Sequence, residues 1–304
     1  MRELIEKVLS ECKKYTADGR VADYIPELKK ACPADLGICV LGGSETVELG
    51  DCDKRFTMQS VVKPMILLLA LMDNGRETVE RLCGVEATGK PFDAFNYSDM
   101  ALRGEHINPM VNAGAIALCT LIGGEGKDEK FERLFSLVKR LSKNQSITVD
   151  EAVFRSERET GNKNRALAYM LKAYGMIDCD VEDMLEVYFK ACSISVSCKD
   201  IANIALVLAH RGRDPESGEE LIPAEYSRYV TAILAICGMY DGSGEFALRV
   251  GIPAKSGVGG GIMAVVPGKM GIGIYSPSLD KKGNSTAGVK VLERLSAALD
   301  LSIF

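Results

Sequence analysis

Ser60 and Lys63 stand three residues apart in the stretch Phe56-Thr57-Met58-Gln59-Ser60-Val61-Val62-Lys63-Pro64. That spacing puts two side chains on one face of a helix. A serine hydroxyl is a poor nucleophile until something takes its proton. A lysine can take it only when its amine is neutral, a state favoured by burial and by nearby positive potential. The flanking residues offer both. Pro64-Met65-Ile66-Leu67-Leu68-Leu69-Ala70 would sink the helix into a core, and a helix N-terminus contributes positive potential. Pro64 also suits a first turn that begins close to Ser60. The plain alternative is a capping serine followed by a solvent-facing lysine.

A second element stands far along the chain, in Pro253-Ala254-Lys255-Ser256-Gly257-Val258-Gly259-Gly260-Gly261. Lys-Ser-Gly at the start of a strand, beside a Ser-x-x-Lys helix, is similar to the Lys-Thr-Gly element of serine β-lactamases and penicillin-binding proteins. Such a strand can offer a backbone N–H to a developing oxyanion, while its lysine adds positive charge. A flexible turn or bulge is the competing reading of the glycine run. Neither this run nor Gly123-Gly124-Glu125-Gly126-Lys127 has the spacing of a phosphate-binding loop with Ser or Thr after the lysine.

Other chemistries are poorly supplied. His106 and His210 are the only histidines, so a zinc site of the usual ligands is not expected. A Ser-His-Asp triad would rest on one of those two, and no G-x-S-x-G elbow exists. Ten cysteines are scattered without a C-x-x-C pair and read as reduced cytosolic thiols, mostly small core residues. The net charge of -5 is spread along the chain, with no basic stripe for nucleic acid. The opening MRELIEKVLSECKKY reads as an amphipathic helix without the apolar run of a signal peptide. Met65 to Met72 is too short to cross a bilayer. The expectation is a cytoplasmic protein with no nucleic-acid or membrane partner.

The elements that must position Ser60 and Lys255 follow from periodicity. Gly37–Leu41 and Thr46–Leu49 around Gly42-Gly43-Ser44 read as a hairpin. Helices are expected over Val61–Asn74, Met110–Ile122, Lys127–Lys143, Arg165–Tyr174, Val181–Ala191, Lys199–Arg211 and Ala224–Gly238. Phe246–Val250, Gly261–Pro267 and Met270–Tyr275 read as strands, and Thr286–Leu301 as a closing helix. The implied fold class is α+β: an antiparallel sheet flanked by N- and C-terminal helices, with an all-helical lobe inserted in sequence. Residues 1–304 would form one catalytic domain, residues 1–60 with 222–304 making the sheet lobe and 61–221 the helical lobe. A cleft between such lobes is a natural ligand site.

Longer strings carry a more specific resemblance. Tyr24-Ile25-Pro26-Glu27-Leu28, Gln59-Ser60-Val61-Val62-Lys63-Pro64, Asn108-Pro109-Met110-Val111-Asn112-Ala113-Gly114, Ser156-Glu157-Arg158-Glu159-Thr160-Gly161-Asn162-Lys163-Asn164, Tyr188-Phe189, Cys237-Gly238-Met239-Tyr240-Asp241, Ala254-Lys255-Ser256-Gly257-Val258 and Ser276-Pro277-Ser278-Leu279-Asp280 stand in one order. Together they resemble the glutaminase family, which shares the β-lactamase-like fold. The resemblance covers nearly the whole chain. It implies hydrolysis of L-glutamine to L-glutamate and ammonia, with Ser60 as nucleophile, Lys63 as its base and Tyr240 relaying protons beside Ser60. Tyr188 would line the site, and the backbone N–H groups of Ser60 and Val258 would form the oxyanion hole. Tyr24, Asn112, Glu157 and Asn164 would hold the amino-acid end. No metal or organic cofactor is implied, and a homodimer or homotetramer is.

Chemistry from below agrees with that assignment. A glutamine ammonium asks for a buried acid, for which Glu157 is the candidate. Its carboxylate and amide suit neutral donors such as Asn112, Asn164 and the tyrosines. Taken singly these residues have ordinary readings: Asn112 a helix cap, Glu157 a surface charge, Tyr188 core, Tyr240 an exposed turn tyrosine. The same Ser-Lys pair would also serve a penicillin-interacting or β-lactamase-type hydrolase, and a non-catalytic amino-acid binder could share the fold. Relative to animal kidney-type glutaminases, the segment 103–107 looks shorter and the ankyrin-type region is missing, which puts phosphate activation and filament formation in doubt.

Overall fold

The computed structural model describes residues 1–42, 45–87 and 107–304. His106 and most of the 103–107 segment lie outside the described residues. The helices are α1 (Arg2–Cys12), α2 (Lys63–Leu82), α3 (Asn112–Cys119), α4 (Gly126–Ser142), α5 (Glu151–Thr160), α6 (Asn162–Ala173), α7 (Val181–Cys192), α8 (Cys198–Ala209), α9 (Ala224–Cys237), α10 (Ser243–Arg249) and α11 (Thr286–Leu299). The strands are β1 (Gly37–Gly42), β2 (Glu45–Gly50), β3 (Phe56–Thr57), β4 (Thr148–Val149), β5 (Ile194–Val196), β6 (Ala254–Ser256), β7 (Gly261–Val266) and β8 (Met270–Tyr275). The fold is α+β.

Five strands form one antiparallel sheet in the order β2-β1-β8-β7-β6. Side chains alternate across a strand, and here both faces are covered. Ile38, Val40, Ile262, Ala264, Ile272 and Ile274 pack with residues of α1 and α11 on one side. Cys39, Leu41, Met263 and Val265 face the helical side instead. Burial on both faces explains why β7 (GIMAVV) is apolar throughout rather than alternating. On β8, Gly271 and Gly273 take the positions that face α8. A Cβ there would come within 2.2 Å of the Ala202 carbonyl oxygen and 2.0 Å of the Cys198 carbonyl oxygen, respectively. The glycine alternation in MGIGIY therefore lets α8 lie directly on the sheet.

Helix starts obey local capping chemistry. The side chains of Asp150, Asp180, Ser197 and Ser285 accept from N–H groups in the first turns of α5, α7, α8 and α11, and Ser197 with Asp200 completes a capping box. A three-stranded sheet, β3-β5-β4, lies across the residues before Ser60. Its extension, Met58 N–H donating to the Ile194 carbonyl at 2.8 Å, fixes the approach to the turn that carries Ser60.

Two readings of the sequence change. Phe246–Val250 is not a strand: residues Ser243–Arg249 are helical. Phe246 and Val250 are buried four residues apart while Leu248 is 91% exposed. That is helical rather than alternating periodicity, reinforced by the Glu245–Arg249 ion pair at 3.0 Å. The helix expected over Val61–Asn74 runs Lys63–Leu82, with a break at Gly75, whose φ is 76°. Helix α5, which carries Glu157, was not anticipated; Asp150, accepting from the Ala152 and Val153 N–H groups, is its signal.

Gly273→Val should destabilise the fold by about 2 kcal/mol or more, because α8 cannot retreat without unpacking the sheet. Leu248→Lys should cost less than about 0.5 kcal/mol. Urea unfolding of both variants tests this, and equal midpoints would contradict the close packing of α8.

Candidate active site

Ser60 sits in a single 3-10 turn, Gln59–Val62, that runs directly into α2. The residue before it, Gln59, is held at φ 46°, a left-handed conformation that non-glycine residues adopt at a cost. Several contacts enforce it. The Val61 N–H donates to the Met58 carbonyl at 2.9 Å, and the Gln59 amide donates to Thr57 Oγ1 and the Cys192 carbonyl, each at 3.4 Å. Gly257, just after β6, lies so close that a Cβ would come within 2.7 Å of the Met58 carbonyl oxygen. The glycine run thus brings the strand edge flush against the turn that carries Ser60.

One turn on, Lys63 is completely buried. Its amine donates to the Met110 carbonyl at 3.1 Å and to Asn112 Oδ1 at 2.7 Å. The Asn112 amide in turn donates to Asn164 Oδ1 at 2.9 Å, and the Tyr188 hydroxyl approaches Asn112 Oδ1 at 3.5 Å. Asn112 is the first residue of α3 rather than its cap. Tyr188 projects from α7 and is 2% exposed, and burial pushes its phenol well above the usual range.

Tyr240 enters from the opposite side, on a 3-10 turn after α9, and it too is left-handed, with φ 55°. Its hydroxyl meets the Ser60 side chain and the Val258 N–H. Burial raises its phenol, and those two contacts partly offset the rise. The second lysine, Lys255, is also completely buried. It donates to the Gly238 carbonyl at 3.1 Å and the Ser256 carbonyl at 2.6 Å. Burial, and then the charge of Lys63, pulls its pKa well below the ordinary lysine range.

A cavity of about 320 Å³ adjoins this cluster, lined by Tyr24, Ile25, Asn112, Glu157 and residues 160–164, Asn164 among them. Glu157 is 5% exposed. Burial pushes its carboxyl up to about 8, against opposing effects of the Gln59 amide and the Lys63 charge. Its Oε2 is buried without a hydrogen-bond partner among the described residues, so this face of the cavity is an acceptor of high affinity for a donor or cation. Tyr24 stands at the mouth, 54% exposed.

All the residues singled out in the sequence therefore fall in one connected region. Ser60, Lys63, Tyr240 and Val258 form one end, Tyr24, Glu157 and Asn164 the other, with Asn112 and Tyr188 between. Gln59 and Cys192 belong to the region and were not singled out. Cys192 is a buried thiol on α7 whose titration is coupled to Tyr188, Glu157 and Lys63. The string around Ser60 held a signal for Gln59; a cysteine at a helix end held none for Cys192.

A sheet closed between terminal helices, with a helical lobe that presents a Ser-x-x-Lys turn to a Lys-Ser-Gly strand, defines the β-lactamase-like class of proteins. Within it the relatives are specific. The glutaminase family model matches residues 19–304. The chain is 51% identical over 306 residues to the glutaminase of Clostridium tetani, covering 100% of both. It is 51% identical over 302 residues to that of Clostridioides difficile, covering 99% of this chain and 98% of the relative. Among solved structures it is similar to a probable glutaminase from Bacillus subtilis complexed with 6-diazo-5-oxo-L-norleucine (TM-score 0.90, 39% identity, 98% of this chain and 94% of that one). It is also similar to the covalent complex of a Bacillus subtilis glutaminase with 5-oxo-L-norleucine, formed by reaction with 6-diazo-5-oxo-L-norleucine (TM-score 0.91, 38% identity, 100% and 99%). This chain belongs to the glutaminase family.

The buried carboxyl carries a stability consequence. Its folded pKa, about 8, lies above the ordinary 4.5. The stability it contributes is therefore complete below 4.5 and is lost as pH rises through about 8. Glu157→Gln should be nearly indistinguishable from the parent at pH 4.5 and more stable at pH 9, by on the order of 5 kcal/mol. Thermal melts at both values test the sign.

Proposed function

We propose that this glutaminase hydrolyses the side-chain amide of L-glutamine to L-glutamate and ammonia through an acyl-enzyme on Ser60. The observation that carries the reading is the junction at Asn112. Its Oδ1 accepts from the Lys63 amine at 2.7 Å, while its side chain also lines the cavity that Glu157 closes. One residue thus joins a site for an amino-acid end to a buried base one turn from a hydroxyl. The covalent adduct of the Bacillus subtilis relative with a norleucine derivative supports nucleophilic attack within the family.

Glu157, ionised, pairs with the substrate ammonium, and Tyr24, Asn112, Asn164 and Tyr188 supply neutral hydrogen bonds around the amino-acid end. Lys63, neutral and assisted by Tyr240, takes the Ser60 proton as the hydroxyl attacks the amide carbon. Negative charge moves to the amide oxygen, where the Ser60 and Val258 N–H groups receive it; loss of one such donor in comparable sites costs about a hundredfold or more. The proton passes to the leaving ammonia through Tyr240 or Lys63. Water then attacks the glutamyl ester by the reverse route, and no cofactor enters. Among the described residues, no helix is long and apolar enough to cross a membrane. We infer a cytoplasmic homodimer or homotetramer, which sedimentation tests.

Ser60→Ala should abolish ammonia release while retaining L-glutamate binding by calorimetry, and full turnover in that variant would overturn the assignment. Because ionised Glu157 binds the ammonium, and its carboxyl titrates near 8, glutamate affinity of Ser60→Ala should rise as pH climbs through that value, until the ligand amine itself loses its proton. Glu157→Gln should weaken binding roughly tenfold or more and remove the pH dependence; an unchanged KM for glutamine argues against the role.

A further inference from the structure

Apart from the residues around Ser60, a group of metal-ligating side chains gathers where the β1–β2 hairpin meets α8. Glu48 lies on β2. Beyond it the chain turns, the Lys54 N–H donating to the Asp51 carbonyl at 3.2 Å, which puts Cys52 and Asp53 at the corner. The Cys198 N–H, at the start of α8, donates to the Cys52 carbonyl at 3.2 Å and pins that corner to the helix. A carboxylate oxygen of Glu48, the Cys52 Sγ and a carboxylate oxygen of Asp53 consequently all lie within 4.8 Å of one another. Cys39 stands directly across the ladder from Glu48. Its side chain is completely buried and its thiol is free, and among the described residues it has no hydrogen-bond partner. The inner wall of the cluster therefore carries a second soft donor.

We propose that Glu48, Cys52 and Asp53 form a site for one soft or borderline divalent cation, zinc or cadmium, with solvent in the fourth position. Tetrahedral zinc with sulfur and oxygen ligands sets neighbouring donors about 3.5 Å apart. Asp53 is exposed and Glu48 partly exposed, so their carboxylates can swing in by the difference without moving the backbone. Charge favours a cation here. Among the described residues Lys199 alone pairs with these carboxylates, reaching Glu48 Oε1 at 2.8 Å, and it leaves Glu48 Oε2 and the whole Asp53 carboxylate without an ion pair. Sulfur decides which cation. Burial, and then the charges of Asp53 and Glu48, raises the Cys52 thiol above its ordinary range, so an ion must displace a proton to reach it. Zinc and cadmium form thiolate bonds strong enough to do so, whereas magnesium and calcium prefer oxygen. On binding, the Cys52 proton leaves to solvent, and one sulfur–metal and two oxygen–metal bonds form. The unfolded chain does not hold the three groups together, so the bound ion stabilises the folded state. The site shares no residue with the cluster around Ser60, and the inference is independent of the reaction proposed above.

The test titrates zinc, and separately cadmium, into the full chain after reduction and removal of metal with a chelator. Calorimetry should give one ion per chain. Cadmium should produce the ultraviolet thiolate-to-metal band of a single Cd–S bond, and the melting midpoint should climb with zinc concentration. Cys52→Ala should abolish the band and weaken binding about a hundredfold or more, and Glu48→Gln and Asp53→Asn about tenfold or more each. Lys199→Gln removes a competing cation and should tighten binding roughly threefold. Cys32→Ala, which deletes an exposed thiol elsewhere on the surface, should change nothing. Absence of binding, a band that survives Cys52→Ala, or a band that disappears with Cys32→Ala overturns the proposal. So does displacement of zinc by an equal concentration of magnesium or calcium, which would mark the carboxylates as a generic acidic patch. If Cys52→Ala fails to fold, Cys52→Ser keeps the side-chain volume while removing the sulfur, and loss of the band in that variant decides.

Discussion

The arrangement turns on a single costly feature, a lysine amine held out of water one turn along the chain from a serine hydroxyl. Lys63 is completely buried, and the Met110 and Asn112 oxygens that its amine meets help to offset the cost of a charge there. Much of the surrounding architecture serves to make that burial tolerable. Helix α2 carries Lys63 into the apolar interior on a run of aliphatic residues, α3 brings Asn112 to its tip, and α7 and α5 close the space behind with Tyr188, Cys192 and Glu157.

Strain collects at the same place. Among the described residues, five non-glycine positions have positive φ, and two of them, Gln59 and Tyr240, flank the Ser60 hydroxyl. Neither conformation is favoured by its own residue type. Each is enforced from outside: Gln59 by β3, β5 and the glycine edge after β6, Tyr240 by Ser243, whose Oγ donates to its carbonyl at 2.8 Å. Rigid elements thus convert packing energy into fixed directions for a hydroxyl and a phenol, which is what pre-organisation of a polar site requires. The turn before α2, α2 itself and α5 supply Ser60, Lys63 and Glu157, and the segment from the turn after α9 to the loop after β6 supplies Tyr240, Lys255 and Val258.

The amino-acid cavity has a different character. Its acidic group is buried with an unpaired oxygen and a raised pKa, so part of the folding free energy is forgone in the unliganded state. A cationic partner regains it. On the function proposed above, recognition of an ammonium would be linked to the ionisation of Glu157 and, through Asn112, to Lys63. A substrate lacking either end would leave polar groups unpaired and bind poorly.

Local chemistry in the chain determined a good deal. The hairpin β1–β2, strands β7 and β8 and the 3.6-residue periodicity of most of the helices between them were legible because each depends on neighbours in sequence. The pairing of Ser60 with Lys63 was legible for the same reason. Phe246–Val250 was misread because a short apolar run fits either period, and only the exposure of Leu248 separates them. Tertiary structure alone decided that Glu157 is buried rather than a surface charge, that Asn112 touches Lys63 across 49 positions, and that Lys255 turns its amine under the ring of Tyr240. Burial and contact between distant segments set those properties, and they are collective outcomes of packing that no residue type or spacing encodes by itself.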